Sequence, residues 1–229
     1  MSITQPSPLA ARVAPFAVYM SFLLLVELVE MAAPDLVTPR FTAMLYPAKA
    51  AATAIALVWC YRLYTDLNWR ELLRPVHTAT SVATAIAVYV LWVNLDLPFA
   101  TMGEQTSYDP AVFHSPAAQT TLIVIRVLGA ALVVPIMEEV FWRSFLCRYL
   151  VKNDFLSVRP GTFTLFSFAA TTVLFGLEHH YWLAGMIAGA AFNLVYRFSG
   201  SLAQCVLCHA VCNAALAAHV LVTRQWHFW

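Results

Sequence analysis

Charge is scarce in this chain. Only 11% of its 229 residues are charged, where soluble domains carry about 25%. The net charge of +1 leaves no basic excess to track a phosphate backbone, so nucleic acid is not an expected partner. No internal repeat, low-complexity tract or long linker interrupts it, and residues 1–229 read as a single membrane-embedded domain. Residues 1–10 read as a loose N-terminus. They lack the charged start of a signal peptide, and the apolar run after them is long enough to span. The polar stretch 96–116 has no Lys or Arg and reads as loop. No His-Glu-x-x-His helix is present. Cys60 and Cys147 fall in or beside different helices from Cys205, Cys208 and Cys212, which implies no disulfide framework.

What the chain has instead is apolar length. Hydrophobic residues make up 61%, and the mean hydropathy is +0.72. The expected fold class is all-α, a polytopic transmembrane helix bundle of about seven spanning helices. The segments fall at 13–31, 43–64, 76–95, 117–151, 161–179, 182–198 and 201–223. Alternating the segments puts Arg12, Arg62, Arg70, Arg74, Arg148, Lys152, Arg159 and Arg197 on one side. Arg40, Lys49 and Arg224 fall near the other. This bias places the N-terminus in the cytoplasm and the C-terminus outside. Trp69, Trp182, Trp226 and Trp229 sit near segment ends, as interfacial anchors do. Glu27 and Glu30, late in the first segment, have three readings: lining a cavity, pairing with Arg126, or reaching the outer surface.

Three clusters stand out against this background. The first is Glu138, Glu139 and Arg143, at the end of a lipid-soluble run. Charged groups at bilayer depth cost about 2.5–3.5 kcal/mol each even on lenient insertion scales. Glu139 and Arg143 are four apart on one helical face and can pair. Glu138 is turned about 100° away and is free to face a different space, as a buried general base would. The second cluster is Phe175-Gly-Leu-Glu-His179-His180, where Phe175 can wall the space that the His179 imidazole enters. The third is His209-Ala-Val-Cys-Asn213, with both polar groups on one face.

Amide hydrolysis needs an activated water and donors for a developing oxyanion. Glu138 with His179 can supply the base, and His209 with Asn213 the donors. By residue type, His179, His209 and Glu138 also match a catalytic zinc set with an open position, although Asn213 is a poor zinc ligand. The plainer reading of each cluster is structural: a Glu–Arg pair that locks two helices, or a membrane His that bonds a neighbour. Cys205-Val-Leu-Cys208-His209 spells a c-type haem attachment pattern, but it lies inside an apolar helix, where packing explains the thiols better. Depth poses a difficulty. Glu138 falls near mid-membrane, whereas His179 ends its segment. The two can meet only if the connection between the fifth and sixth segments is recessed, or if Pro135 kinks the fourth.

Glu138-Glu139-x-x-x-Arg143, Phe175-x-x-x-His179 and His209-x-x-x-Asn213 resemble the three ordered motifs of the CPBP intramembrane proteases. That family is the CAAX prenyl protease and bacteriocin-processing group, also called Abi. The resemblance covers about 117–223, the expected catalytic core. It implies an endopeptidase acting on a protein or peptide in or at the bilayer. It also implies Glu138 and His179 as the water-activating pair and His209 and Asn213 as the oxyanion site, and many members are labelled metalloproteases. The run from Phe175 to Gly185 and the tail Gln225-Trp-His-Phe-Trp229 are similar to short CAAX-protease-related proteins associated with exosortase sorting systems. That subgroup implies a bacterial cytoplasmic membrane and processing of exported rather than prenylated proteins. The alternatives are a non-catalytic scaffold or immunity protein on the same fold, and a small transporter lined by the buried charges. The lack of an evident repeat counts against the transporter.

Overall fold

The computed structural model describes residues 6–103 and 107–229. Among the described residues there are seven long helices and no strand. They are α1 (Pro8–Ala32), α2 (Pro39–Cys60), α3 (Pro75–Asn94), α4 (Pro116–Tyr149), α5 (Leu165–Leu177), α6 (Trp182–Ser199) and α7 (Leu202–Thr223). Five of them, α1 to α4 and α7, are long and apolar enough to cross a membrane.

The first four helices each start on a proline, whose missing N–H is no loss at that position. Ser7, Thr38 and Ser115 precede three of these prolines, and each hydroxyl caps a free backbone N–H three residues on. Residues 1–5 of the expected loose N-terminus lie outside the described residues. The rest of it is ordered, because Ser7 and Pro8 begin α1 directly.

α3 packs along α7, α5 along α6, and α1 along α2. α4 touches α1, α2 and α7 and carries the first motif through the middle of the bundle. It is not uniform. Its turns widen to π-helix over Gly129–Val133 and again over Val140–Leu146. Such widening is rare and concentrates at functional positions.

α5 resolves the depth difficulty. Its 13 residues span about 20 Å at 1.5 Å per residue, short of a hydrocarbon core of about 30 Å. Gly176 and Gly185 let α5 and α6 touch. A Cβ on Gly185 would meet the Gly176 Cα at 3.0 Å, the small-residue approach common between membrane helices. The Glu178–Tyr181 turn that joins them is therefore recessed into the bundle.

One end of the bundle is tied by charge. Asp66, between α2 and α3, accepts from Arg12 of α1 at 2.7 Å, from Arg148 of α4 at 2.8 Å and from Ser144 at 2.6 Å. Both arginines are buried. Arg12 and Arg148 thus share one end, as the alternation of segments expects. Glu27 and Glu30 are exposed on α1. Among the described residues neither pairs with Arg126, and neither lines the cavity described below.

Candidate functional site

α4 brings Glu138, Glu139 and Arg143 into the core. The Arg143 guanidinium is fully buried and fully engaged. It donates to Glu139 Oε1 at 3.0 Å, to Asn193 Oδ1 at 3.2 Å and to the Gly189 carbonyl at 3.0 Å. Its face also lies over the Phe175 ring, 4.8 Å from the centroid. The expected Glu139–Arg143 pair is present, and the bonds of Arg143 to Asn193 and Gly189 fix α4 against α6.

His209 of α7 completes this cluster. Its Nδ1 lies 2.9 Å from the same Glu139 Oε1. A carboxylate held by an arginine only accepts, so Nδ1 carries a proton. The other nitrogen, Nε2, is turned to Glu138 and lies 4.0 Å from its Oε2. The ring stacks on Phe192, with centroids 4.8 Å apart. His179 shows the same logic. Its Nδ1 is 2.7 Å from the Phe175 carbonyl, which can only accept, and this leaves Nε2 free. Phe175 packs beside that imidazole at 5.0 Å, and Trp92 meets it edge-on at 5.4 Å. The expected aromatic wall is in place.

Glu138 differs from its neighbour. It is buried, and its Oε2 has no hydrogen-bond partner among the described residues. It borders a cavity of about 200 Å³ that Arg126, His179, His209 and Asn213 also line. The structure thus brings together Glu138, His179, His209 and Asn213 from two helices and one turn, while Glu139 and Arg143 stand behind them.

Asn213 has a further duty. In the widened turn the Val134 N–H bonds to the Gly129 carbonyl, five residues back. The next such bond would need an N–H from Pro135, which has none. The orphaned Ala130 carbonyl accepts from Asn213 Nδ2 at 2.8 Å instead. One of the two amide N–H groups of Asn213 is therefore committed to α4, and the other remains.

Glu178 is a site residue outside the expected set. A carboxylate oxygen of Glu178, one of Glu138 and a ring nitrogen of His179 lie within 4.8 Å of one another. The Trp142 indole N–H donates to Glu178 Oε1 at 3.1 Å. The tight ligand-type group is thus Glu138, Glu178 and His179, and His209 is not part of it, its Nε2 lying 4.0 Å from Glu138 Oε2. The signal was available, because Glu178 is a third acidic residue at the end of an apolar segment. The cysteines of α7 are buried, and Cys205 Sγ donates to the Phe192 carbonyl at 3.7 Å.

Residues 120–215 match the family model described as Type II CAAX prenyl endopeptidase Rce1-like. Over these residues the chain is similar to the CAAX protease (CPBP) family. Comparison with curated proteins gives no match, and neither does comparison with solved structures. The CAAX protease match includes Glu138, Glu139, Arg143, Glu178, His179, His209 and Asn213 and leaves out α1, α2 and α3. With five apolar helices long enough to span, the chain is a multi-pass membrane protein.

Proposed function

We propose that the protein is an intramembrane endopeptidase in which Glu138 activates water against a peptide bond of a membrane-associated or exported protein. The observation that carries this reading is the unpartnered carboxylate oxygen of Glu138. It borders a cavity roomy enough for water and substrate, between His209 Nε2 and His179.

Glu138 takes a proton from the water as its oxygen attacks the carbonyl carbon, and His179 Nε2 is a second acceptor that orients the water. The carbonyl becomes an oxyanion. His209 meets it through Nε2 once that nitrogen holds a proton, and Glu139 at Nδ1 stabilises the imidazolium. The remaining N–H of Asn213 is a second donor. As the tetrahedral species collapses, the proton on Glu138 passes to the leaving amine. Arg143 holds Glu139 and touches no substrate.

The donor set also fits a divalent ion. Both imidazoles bond through Nδ1 to an oxygen behind them and leave Nε2 free, the arrangement of metal-ligating histidines. Glu138, His179 and either Glu178 or His209 would hold zinc, which when bound lowers the pKa of water and polarises a carbonyl. A link to an exosortase system rests on the stretches 175–185 and 225–229 alone, and a bacterial inner-membrane location with a cytoplasmic N-terminus rests on that subgroup and on the arginine bias.

The test is cleavage of a membrane-anchored, fluorescence-quenched peptide library by the protein in liposomes. Glu138→Gln, His179→Ala and His209→Ala each reduce cleavage by about a hundredfold or more while inserting normally. Unimpaired cleavage by Glu138→Gln overturns the proposal. Chelation then separates the two sources of activated water. Loss restored by zinc assigns it to an ion, and indifference assigns it to the carboxylate.

A further inference from the structure

The cavity has a second, oppositely charged end. Arg126 lines it twelve residues before Glu138 on the same helix. The guanidinium lies over the Tyr46 ring at 4.3 Å and over the Tyr108 ring at 5.0 Å. Its buried Nε has no hydrogen-bond partner, and among the described residues Arg126 has no acidic partner. A second cation crowds the same ring. Lys49 Nζ is 5.3 Å from the Tyr46 centroid and 4.3 Å from that of Tyr19.

Two cations around one tyrosine, inside an apolar bundle, repel each other where the dielectric is low. Stacking on aromatic faces offsets only part of the cost of holding charge there. The nearby hydroxyl of Tyr19 can donate to an anion as the cations do. Gly129 maintains this shelf, because a Cβ there would collide with the Tyr46 hydroxyl. Tyr46 also donates to the Arg126 carbonyl at 3.4 Å. The cationic end is thus built by side chains of α1, α2 and α4 together; Arg126, Tyr19 and Tyr46 line the same space as the carboxylate end, and Lys49 stands behind the tyrosines.

We propose that Arg126, supported by Lys49, is an anion subsite that grips a carboxylate of the substrate and sets which peptide bond meets Glu138. This rests on the endopeptidase reading for its consequence, though not for the binding itself. The spacing makes it specific. Twelve helical residues at 1.5 Å each separate the two ends by about 18 Å, less in widened turns, and an extended peptide covers about 3.3–3.6 Å per residue. The recognised carboxylate therefore lies about four to six residues from the bond that is cut. It is either the free C-terminus of the substrate or the side chain of an Asp or Glu at that distance.

The experiment uses three matched sets of N-terminally acylated, randomised decapeptides. One set ends in a free carboxylate, one in an amide, and one in an amide with Asp fixed at the sixth position. Binding is read by fluorescence anisotropy on Glu138→Gln protein in nanodiscs, so that it does not depend on hydrolysis. Cleavage is read on the otherwise unaltered enzyme. One or both acidic sets bind roughly ten- to a hundredfold more tightly than the plain amide set. Preference for the first assigns the C-terminus, and preference for the third assigns a side chain. Arg126→Gln abolishes the preference, and Arg126→Lys recovers part of it. If Arg126→Gln does not fold, Lys49→Gln and Arg126→Lys carry the comparison, each narrowing the preference. Equal binding of all three sets, or a preference that survives Arg126→Gln, overturns the subsite. Carboxylate-dependent binding without cleavage by the enzyme keeps the subsite and overturns the endopeptidase reading instead.

Discussion

His209 Nδ1 and Glu139 Oε1 are 2.9 Å apart and join α7 to α4 at a buried point. The same oxygen accepts from Arg143, so the adjacent glutamates do different work. Glu139 is held from two sides through Oε1, while among the described residues no hydrogen bond holds Glu138 Oε2.

This asymmetry predicts opposite stability effects for two neighbouring substitutions. Glu139→Ala leaves the buried Arg143 without its carboxylate and lowers stability by about 3–5 kcal/mol. Glu138→Ala removes a buried carboxylate that lacks a full set of partners, so stability stays level or rises. Unfolding in mixed micelles measures both. Cleavage is lost in each case, and in Glu139→Ala because His209 loses its orientation.

Asn213 and Pro135 act on one carbonyl. Asn213→Ala strands the Ala130 oxygen and costs about 1–3 kcal/mol. Pro135→Ala restores a backbone N–H beside it. The double variant is therefore more stable than the two single changes sum to, by about 1 kcal/mol. A double-mutant cycle on unfolding free energies checks this coupling.

Asp66 bridges two buried arginines at the end of the bundle remote from Glu138. Asp66→Asn lowers stability by about 3–5 kcal/mol, and the folded fraction keeps its cleavage rate per molecule. A loss of rate in fully folded protein would contradict that separation.

Gly129→Ala drives a methyl group toward the Tyr46 ring, where the nearest ring carbons are 3.0 and 3.1 Å away. The cost is about 1–3 kcal/mol. Tyr46→Phe in the same chain removes the atom that meets the methyl first and recovers part of it. Thermal melts of the three variants give the comparison.

The helices were legible because their signals are local. Apolar length marked where they run, although α1 and α2 start at Pro8 and Pro39, ahead of the expected 13 and 43, on hydroxyl caps that hydropathy does not register. The three polar clusters were legible because charge in such runs is conspicuous. Three features were not. The recess of the α5–α6 turn follows from the contact between Gly176 and Gly185, a pairing that hydropathy does not encode. Pro135 raised the question of a kink, but α4 answers it with a widened turn and a side chain from α7 in place of the missing N–H. Glu178 stood in plain view beside His179, yet its part depends on Trp142, 36 residues earlier, and only folding brings them together. Arg126 was weighed as a partner for Glu27 or Glu30, but those carboxylates face outward and the guanidinium stacks on tyrosines.

All five thiols of the chain are buried. A polar maleimide applied to intact cells or sealed vesicles therefore finds almost nothing to modify in the natural sequence. A single engineered thiol at Ser7, Asn68 or Gln225 would be read against a silent background, and which compartment the reagent must enter to reach it reports the sidedness of the protein directly.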